Sequence, residues 1–205
     1  KMIRANAKSA KIARALLQKI TIRNNSADHA SYLKLADSLR TKGLYNEAIS
    51  EYSRLGPIVQ KSPGSPYAKI VEIWPIYCYI KLYETYAKAA LKDARYKGPA
   101  GKIFNTAMQS VKKLDEKPPS RQTNEYSLYK LIRALLRVQY ARQYEQGGNE
   151  LKAAEFYRQS ALEVTEGIVS ARVGLDWLPE SLLMAGDAYE KLNLNEAAMN
   201  VYKQV

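Results

Sequence analysis

Few residues in this chain are of types that could do covalent chemistry, and their spacing argues against it. There is one histidine, His29, and one cysteine, Cys78. A nucleophile–histidine pair or a two-histidine metal site would rest on that single imidazole, and one thiol forms neither an intrachain disulfide nor a thiolate zinc site. His29 follows Asp28 at the predicted start of a helix, where Asp28 suits the N-cap and His29 a surface position. Cys78 sits among Trp74, Tyr77, Tyr79 and Ile80 and reads as a small buried packing residue. Asp115 and Glu116 are adjacent, and neighbouring helical residues do not face one cleft as an acid–base pair must. The phrase Gly98-Pro99-Ala100-Gly101-Lys102 is too short for a phosphate loop and follows no strand, so it is read as a turn. The expectation is a protein with no catalytic residues, no metal site and no cofactor.

Binding is left as the chemistry. The 205 residues carry a formal charge of +12, unevenly spread. Residues 1–66 are net +8, residues 67–143 net +9 and residues 144–205 net −5, and no acidic residue precedes Asp28. This suggests an anionic partner for the first two thirds, against the plainer reading of solvated helix surfaces. Sixteen tyrosines, five of them within residues 67–86, could stack on bases, but their helical spacing reads better as packing, which disfavours nucleic acid. No apolar run approaches the roughly 18 residues needed to cross a bilayer.

The elements that would position such a surface are helical. Gly and Pro fall mostly at short punctuation points, and no long stretch alternates apolar and polar residues. The pattern predicts nine helices near 2–23, 29–42, 46–61, 67–96, 100–116, 121–146, 149–171, 179–192 and 195–205. The third ends at Leu55 instead if Gly56-Pro57 interrupts it, and Pro75 is expected to kink or restart the fourth. The first is amphipathic, with Arg4, Lys8, Lys11, Arg14 and Lys19 on its polar side as candidates for an anionic surface. Residues 1–24 are therefore set apart as a basic helix packed on a domain spanning 25–205. The chain opens at Lys1 and closes at Val205 inside a periodic pattern, so both ends are expected to be cut from something longer.

One phrase recurs. Tyr32, Leu35, Ala36, Leu39, Gly43, Tyr45, Ala48, Tyr52 and Leu55 are matched at equal intervals by Leu182, Ala185, Gly186, Tyr189, Asn193, Asn195, Ala198, Tyr202 and Val205. A third copy runs through Tyr140, Ala141, Tyr144, Gly148, Ala153, Tyr157 and Ser160. Small residues let paired helices approach, large ones three further on fill the space beside them, and Gly43 and Gly148 permit the turn. A lone hairpin cannot bury both faces, so such units stack. Hairpins are expected near 29–61, 67–116, 121–171 and 179–205, the second matching the phrase poorly.

These residues, above all Lys42–Ala48 and Gly186–Leu192 with Glu196-Ala197-Ala198, resemble the tetratricopeptide repeat (TPR) family. The alanines are spaced more widely than the family repeat, which implies longer helices or connections. The resemblance implies an all-α fold, a right-handed α–α superhelix of antiparallel hairpins, serving as a non-catalytic protein–protein interaction scaffold. It places Leu33, Asp37, Arg40, Val138, Arg142, Glu145, Leu183, Asp187 and Glu190 on the partner-binding groove. Asp37 and Asp187 stand where the family's carboxylate-clamp members carry Asn, which argues against that clamp. The implied partner is a protein or peptide, acidic if the basic flank takes part. The alternative is an anionic polymer or surface bound through residues 1–143. Glu47–Tyr52, Ser62–Ala68 and Val201–Val205 are also similar to repeats of exported bacterial proteins such as the outer-membrane barrel-assembly lipoprotein, which implies a periplasmic or outer-membrane-associated setting.

Overall fold

The structure is a computed structural model that describes residues 26–62, 64–172 and 174–205. The predicted helix near 2–23, with Arg4, Lys8, Lys11, Arg14 and Lys19, lies outside the described residues. Among the described residues the fold is all-α, with no strand. The helices are α1 (Ser26–Thr41), α2 (Tyr45–Gln60), α3 (Ala68–Ala90), α4 (Lys97–Glu116), α5 (Asn124–Gln146), α6 (Glu150–Ser170), α7 (Leu178–Lys191) and α8 (Asn195–Tyr202). Among the described residues the chain divides between Leu82 and Tyr83 into two compact units, the second running to Val205.

The recurring phrase is a recurring turn. The residues Gly43, Gly148 and Asn193 have φ of 74°, 73° and 60°. Each donates its N–H to the carbonyl three back, at Arg40, Glu145 and Glu190 (3.0, 3.0 and 2.9 Å). The next N–H reaches five back, from Leu44 to Leu39, Asn149 to Tyr144 and Leu194 to Tyr189 (2.9, 2.8 and 2.9 Å). This is the Schellman closure, which caps the orphan carbonyls of one helix and turns the chain into the next. Five residues on, the small residues Ala48, Ala153 and Ala198 are buried where the second helix crosses the first. The fold is that of α–α hairpin repeats, as the phrase predicts.

Several boundaries differ from expectation. Helix α2 runs through Gly56-Pro57, because Leu55 and Val59 are both 1% exposed and their burial holds the last turn while Pro57 faces solvent. Helix α3 runs through Pro75 with Trp74 and Ile76 buried on either side. It ends at Ala90 rather than 96. There the Asp93 carboxylate accepts from the Arg95 N–H (3.0 Å) and opens a separate 3-10 turn, Ala94–Tyr96. The Gly98–Lys102 phrase lies inside the start of α4 rather than in a turn. Proline is tolerated there because the first turn has no internal N–H bond to lose. Asp28 lies within α1 and not at its cap, and His29 is 2% exposed instead of on the surface. It shares the inward face with Tyr32, Leu33 and Ala36, three, four and seven residues on. Among the described residues its Nε2 has no hydrogen-bond partner.

Unit one centres on Ala36, Ala48, Tyr52, Leu55, Ile73, Cys78 and Ile80. Unit two centres on Leu128, Leu131, Ile132, Ala134 and Val164, where α5 packs against α6. Cys78 is fully buried, and burial pushes its thiol up to about 12.

Candidate functional site

The expected groove residues occupy three equivalent sets, one per hairpin. In each hairpin a tyrosine of the second helix reaches back to a carboxylate of the first. The Tyr52 hydroxyl donates to Asp37 Oδ1 (2.6 Å) and Tyr202 to Asp187 Oδ1 (2.8 Å). In the middle hairpin the position equivalent to Asp37 is Arg142, and Tyr157 donates instead to Glu145 Oε2, one turn further on (2.8 Å). Burial, and then the facing carboxylate, raise all three phenols above their usual range. Three of the expected groove residues, Asp37, Glu145 and Asp187, thus accept hydrogen bonds inside their own hairpins.

The remaining candidates are placed as follows. Leu33 is buried. The Arg40 guanidinium lies 3.5 Å from the Trp74 ring centroid, with Nε 3.6 Å from Asp37 Oδ1. Val138 is half-buried against Ala141, Ala153 and Tyr157. Arg142 donates to Glu84 Oε1 (2.9 Å), which also accepts from Gln139 (2.8 Å), so this face of α5 grips the end of α3. Lys191 donates to Glu145 Oε1 (2.7 Å). Burial disfavours charge on Glu145, but the Lys191 and Tyr157 hydrogen bonds outweigh it and hold the carboxyl below its usual range. Leu183, Asp187 and Glu190 are exposed on α7.

Sequence reasoning passed over the neighbouring face of α5. Lys130 donates to Glu163 (2.6 Å) and lies 2.7 Å from Glu166. Arg133 meets Glu163 (2.8 Å) and Asp115 (3.0 Å), and Tyr129 donates to Asp115 (2.7 Å). Hydrogen bonds from Lys130 and Tyr126 hold the Glu166 carboxyl low. Above this network, Tyr83, Phe104, Tyr140, Phe156 and Tyr144 form a ring ladder across α3, α4, α5 and α6, with successive centroids 4.7 to 5.4 Å apart. The signal was available: Tyr126, Lys130, Arg133, Arg137, Tyr140 and Tyr144 recur every three or four residues. Among the described residues no group of His, Cys, Asp and Glu could hold a metal ion, and no helix is long and apolar enough to cross a membrane.

The last hairpin, α7 and α8, matches the family model of the tetratricopeptide repeat over residues 179–205. It is a tetratricopeptide-type repeat. No curated protein matches the chain. The turn and the tyrosine–carboxylate bond of this TPR hairpin recur in α1–α2 and α5–α6, where the carboxylate has moved by one turn in the latter. Repeats of this type generally mediate protein–protein interaction.

Proposed function

We propose that this protein is a non-catalytic interaction scaffold that holds a peptide or a partner protein on surfaces presented by its TPR-type hairpins. The observation that carries the reading is the repeat itself, matched in the last hairpin and reproduced in turn geometry and buried alanines in two more. Stacked hairpins spend their side chains on neighbours along two faces and leave a first-helix face for a ligand. Among the expected groove residues Leu183 offers a partner an apolar side chain, 46% exposed.

The test is capture by the immobilised full chain, with cross-linking, nuclease treatment and washes at low and high salt. A protein retained at high salt and after nuclease is the expected result. Retention of nucleic acid alone, lost steeply as salt rises, would replace this reading with binding of an anionic polymer.

A further inference from the structure

Helix α5 carries four cations along its length: Lys130, Arg133, Arg137 and Arg142. Three have carboxylates: Lys130 with Glu163 and Glu166, Arg133 with Asp115 and Glu163, and Arg142 with Glu84. Arg137 has none among the described residues, yet it is half-buried. Its guanidinium carbon lies 5.9 Å from the Phe156 ring centroid, at the outer reach of a cation–π contact. An arginine without a carboxylate keeps its planar N–H fork available to a bidentate acceptor.

Arg137 borders a cleft of about 150 Å³ between α4 and α5, lined also by Met108, Lys112, Arg133, Leu136 and Tyr140. Lys112 is exposed and has no carboxylate partner among the described residues. The acid in this cleft, Asp115, is already engaged by Arg133 and Tyr129. The cleft on the other side of Arg137 contains Glu163 and Glu166, so an anion is better received on the α4 side. The two helices that form the cleft agree, since α4 and α5 together carry eight basic residues and four acidic ones.

We infer that the cleft between α4 and α5, built around Arg137 and Lys112, receives a carboxylate side chain of an acidic partner polypeptide, with a neighbouring aliphatic residue on Met108 and Leu136. The inference deepens the scaffold reading and rests on it. A polypeptide fits better than nucleic acid because the local rings are occupied. Phe156 is stacked with both Tyr140 and Tyr144, and Phe104 meets Tyr140 edge-on, so no ring platform is left for a base.

The test uses the full chain and a fluorescein-labelled peptide alternating glutamate and leucine, read by anisotropy. Its glutamine–leucine counterpart and a single-stranded oligothymidylate serve as comparisons. The glutamate peptide is expected to bind at least about tenfold more tightly than the glutamine one, and Arg137→Gln to remove about tenfold or more of that affinity. Lys112→Gln is expected to remove less, Arg137→Lys to restore part, and Lys203→Gln on α8 to change nothing. Should Arg137→Gln fail to fold by circular dichroism, amide shifts of Met108, Lys112, Leu136 and Arg137 in the wild-type chain decide, since they must move on titration. Equal affinity for both peptides, unchanged affinity in a folded Arg137→Gln, or unmoved shifts overturns the site. Tighter, Arg137-dependent binding of the oligothymidylate overturns the choice of polypeptide. A cross-linked partner captured equally by wild type and Arg137→Gln rejects this cleft while leaving the scaffold reading intact, whereas failure to capture any protein rejects the scaffold.

Discussion

Tyr52, buried to 1% exposure, spends its one polar atom on Asp37, and this pairing joins the two helices of a hairpin more specifically than apolar contact can. A hydrogen bond to a charged group contributes about 1.5–3 kcal/mol net. Tyr52→Phe is therefore expected to lower stability by about 1.5 kcal/mol or more, read from urea midpoints. Tyr202→Phe makes the same deletion where Asp187 is exposed to water, so its loss should be clearly smaller. Losses near zero in both would mean that ring packing, and not the hydroxyl, holds the hairpin, and equal losses that exposure does not weaken the bond. Glu145 adds a pH dependence of definite sign. Its carboxyl is held below the ordinary 4.5 when folded, so the unfolded chain takes up its proton first on acidification. The stabilisation is complete above 4.5 and is lost as pH falls through the folded value. Denaturation midpoints of Glu145→Gln should fall less steeply below pH 4.5 than those of the wild type. Because the Lys191 partner is half exposed, the difference is modest and shrinks in salt.

Helix pairs add constraints that single residues do not. Gly101 of α4 has no atom within 4 Å of where a Cβ would stand, so Gly101→Ala should gain up to about 1 kcal/mol from helix propensity alone. Gly167 of α6 is a helical glycine with the opposite surroundings. A Cβ there would stand 2.9 Å from the Lys130 Cβ and 3.1 Å from the Ser127 carbonyl of α5. Overpacking costs about 1–3 kcal/mol, which outweighs the propensity gain, so Gly167→Ala should destabilise the chain while Gly101→Ala stabilises it. Thermal midpoints of the two variants moving in the same direction would show that α5 and α6 are not so closely apposed. Elements of this kind were readable in advance where the signal is local. Gly43, Gly148 and Asn193 mark their turns by backbone demand, and Ala48, Ala153 and Ala198 mark crossings by size. What escaped depends on tertiary contact. Pro57 and Pro75 look like helix breakers until Val59 and Ile76 are seen buried beyond them. His29 looks like a surface cap residue until its face of α1 turns inward. Arg142 and Glu145 look like free groove residues because nothing in their spacing reveals Glu84, Tyr157 or Lys191 opposite.

Across the larger unit, stability should be graded, because stacked repeats draw it from nearest neighbours rather than from one shared centre. Helix α5 carries Leu128, Leu131 and Ile132 at no exposure, and α6 adds Val164 and the Ser160 hydroxyl, which donates to the Ala134 carbonyl (3.0 Å). The start of α7 is anchored to the same centre by the Trp177 indole N–H, which donates to Ser127 Oγ (2.8 Å). Helix α8 has eight residues, buries Ala198, and leaves Met199 57% exposed. Its hold on α7 is the Schellman turn at Asn193, the half-buried Tyr202 ring against Gly186, and the exposed Tyr202–Asp187 bond. Opening α8 therefore costs little apolar burial, whereas opening α5 requires most of the unit to come apart. Native-state hydrogen exchange is expected to show the slowest amides in α5 and the inward face of α6, intermediate ones in α7, and the fastest helical amides in α8. Tyr202→Phe should accelerate exchange in α8 without changing α5. If instead the amides of α8 and α5 exchange at one common free energy and respond together to that substitution, the unit opens as a single cooperative body, and the nearest-neighbour account of its stability fails.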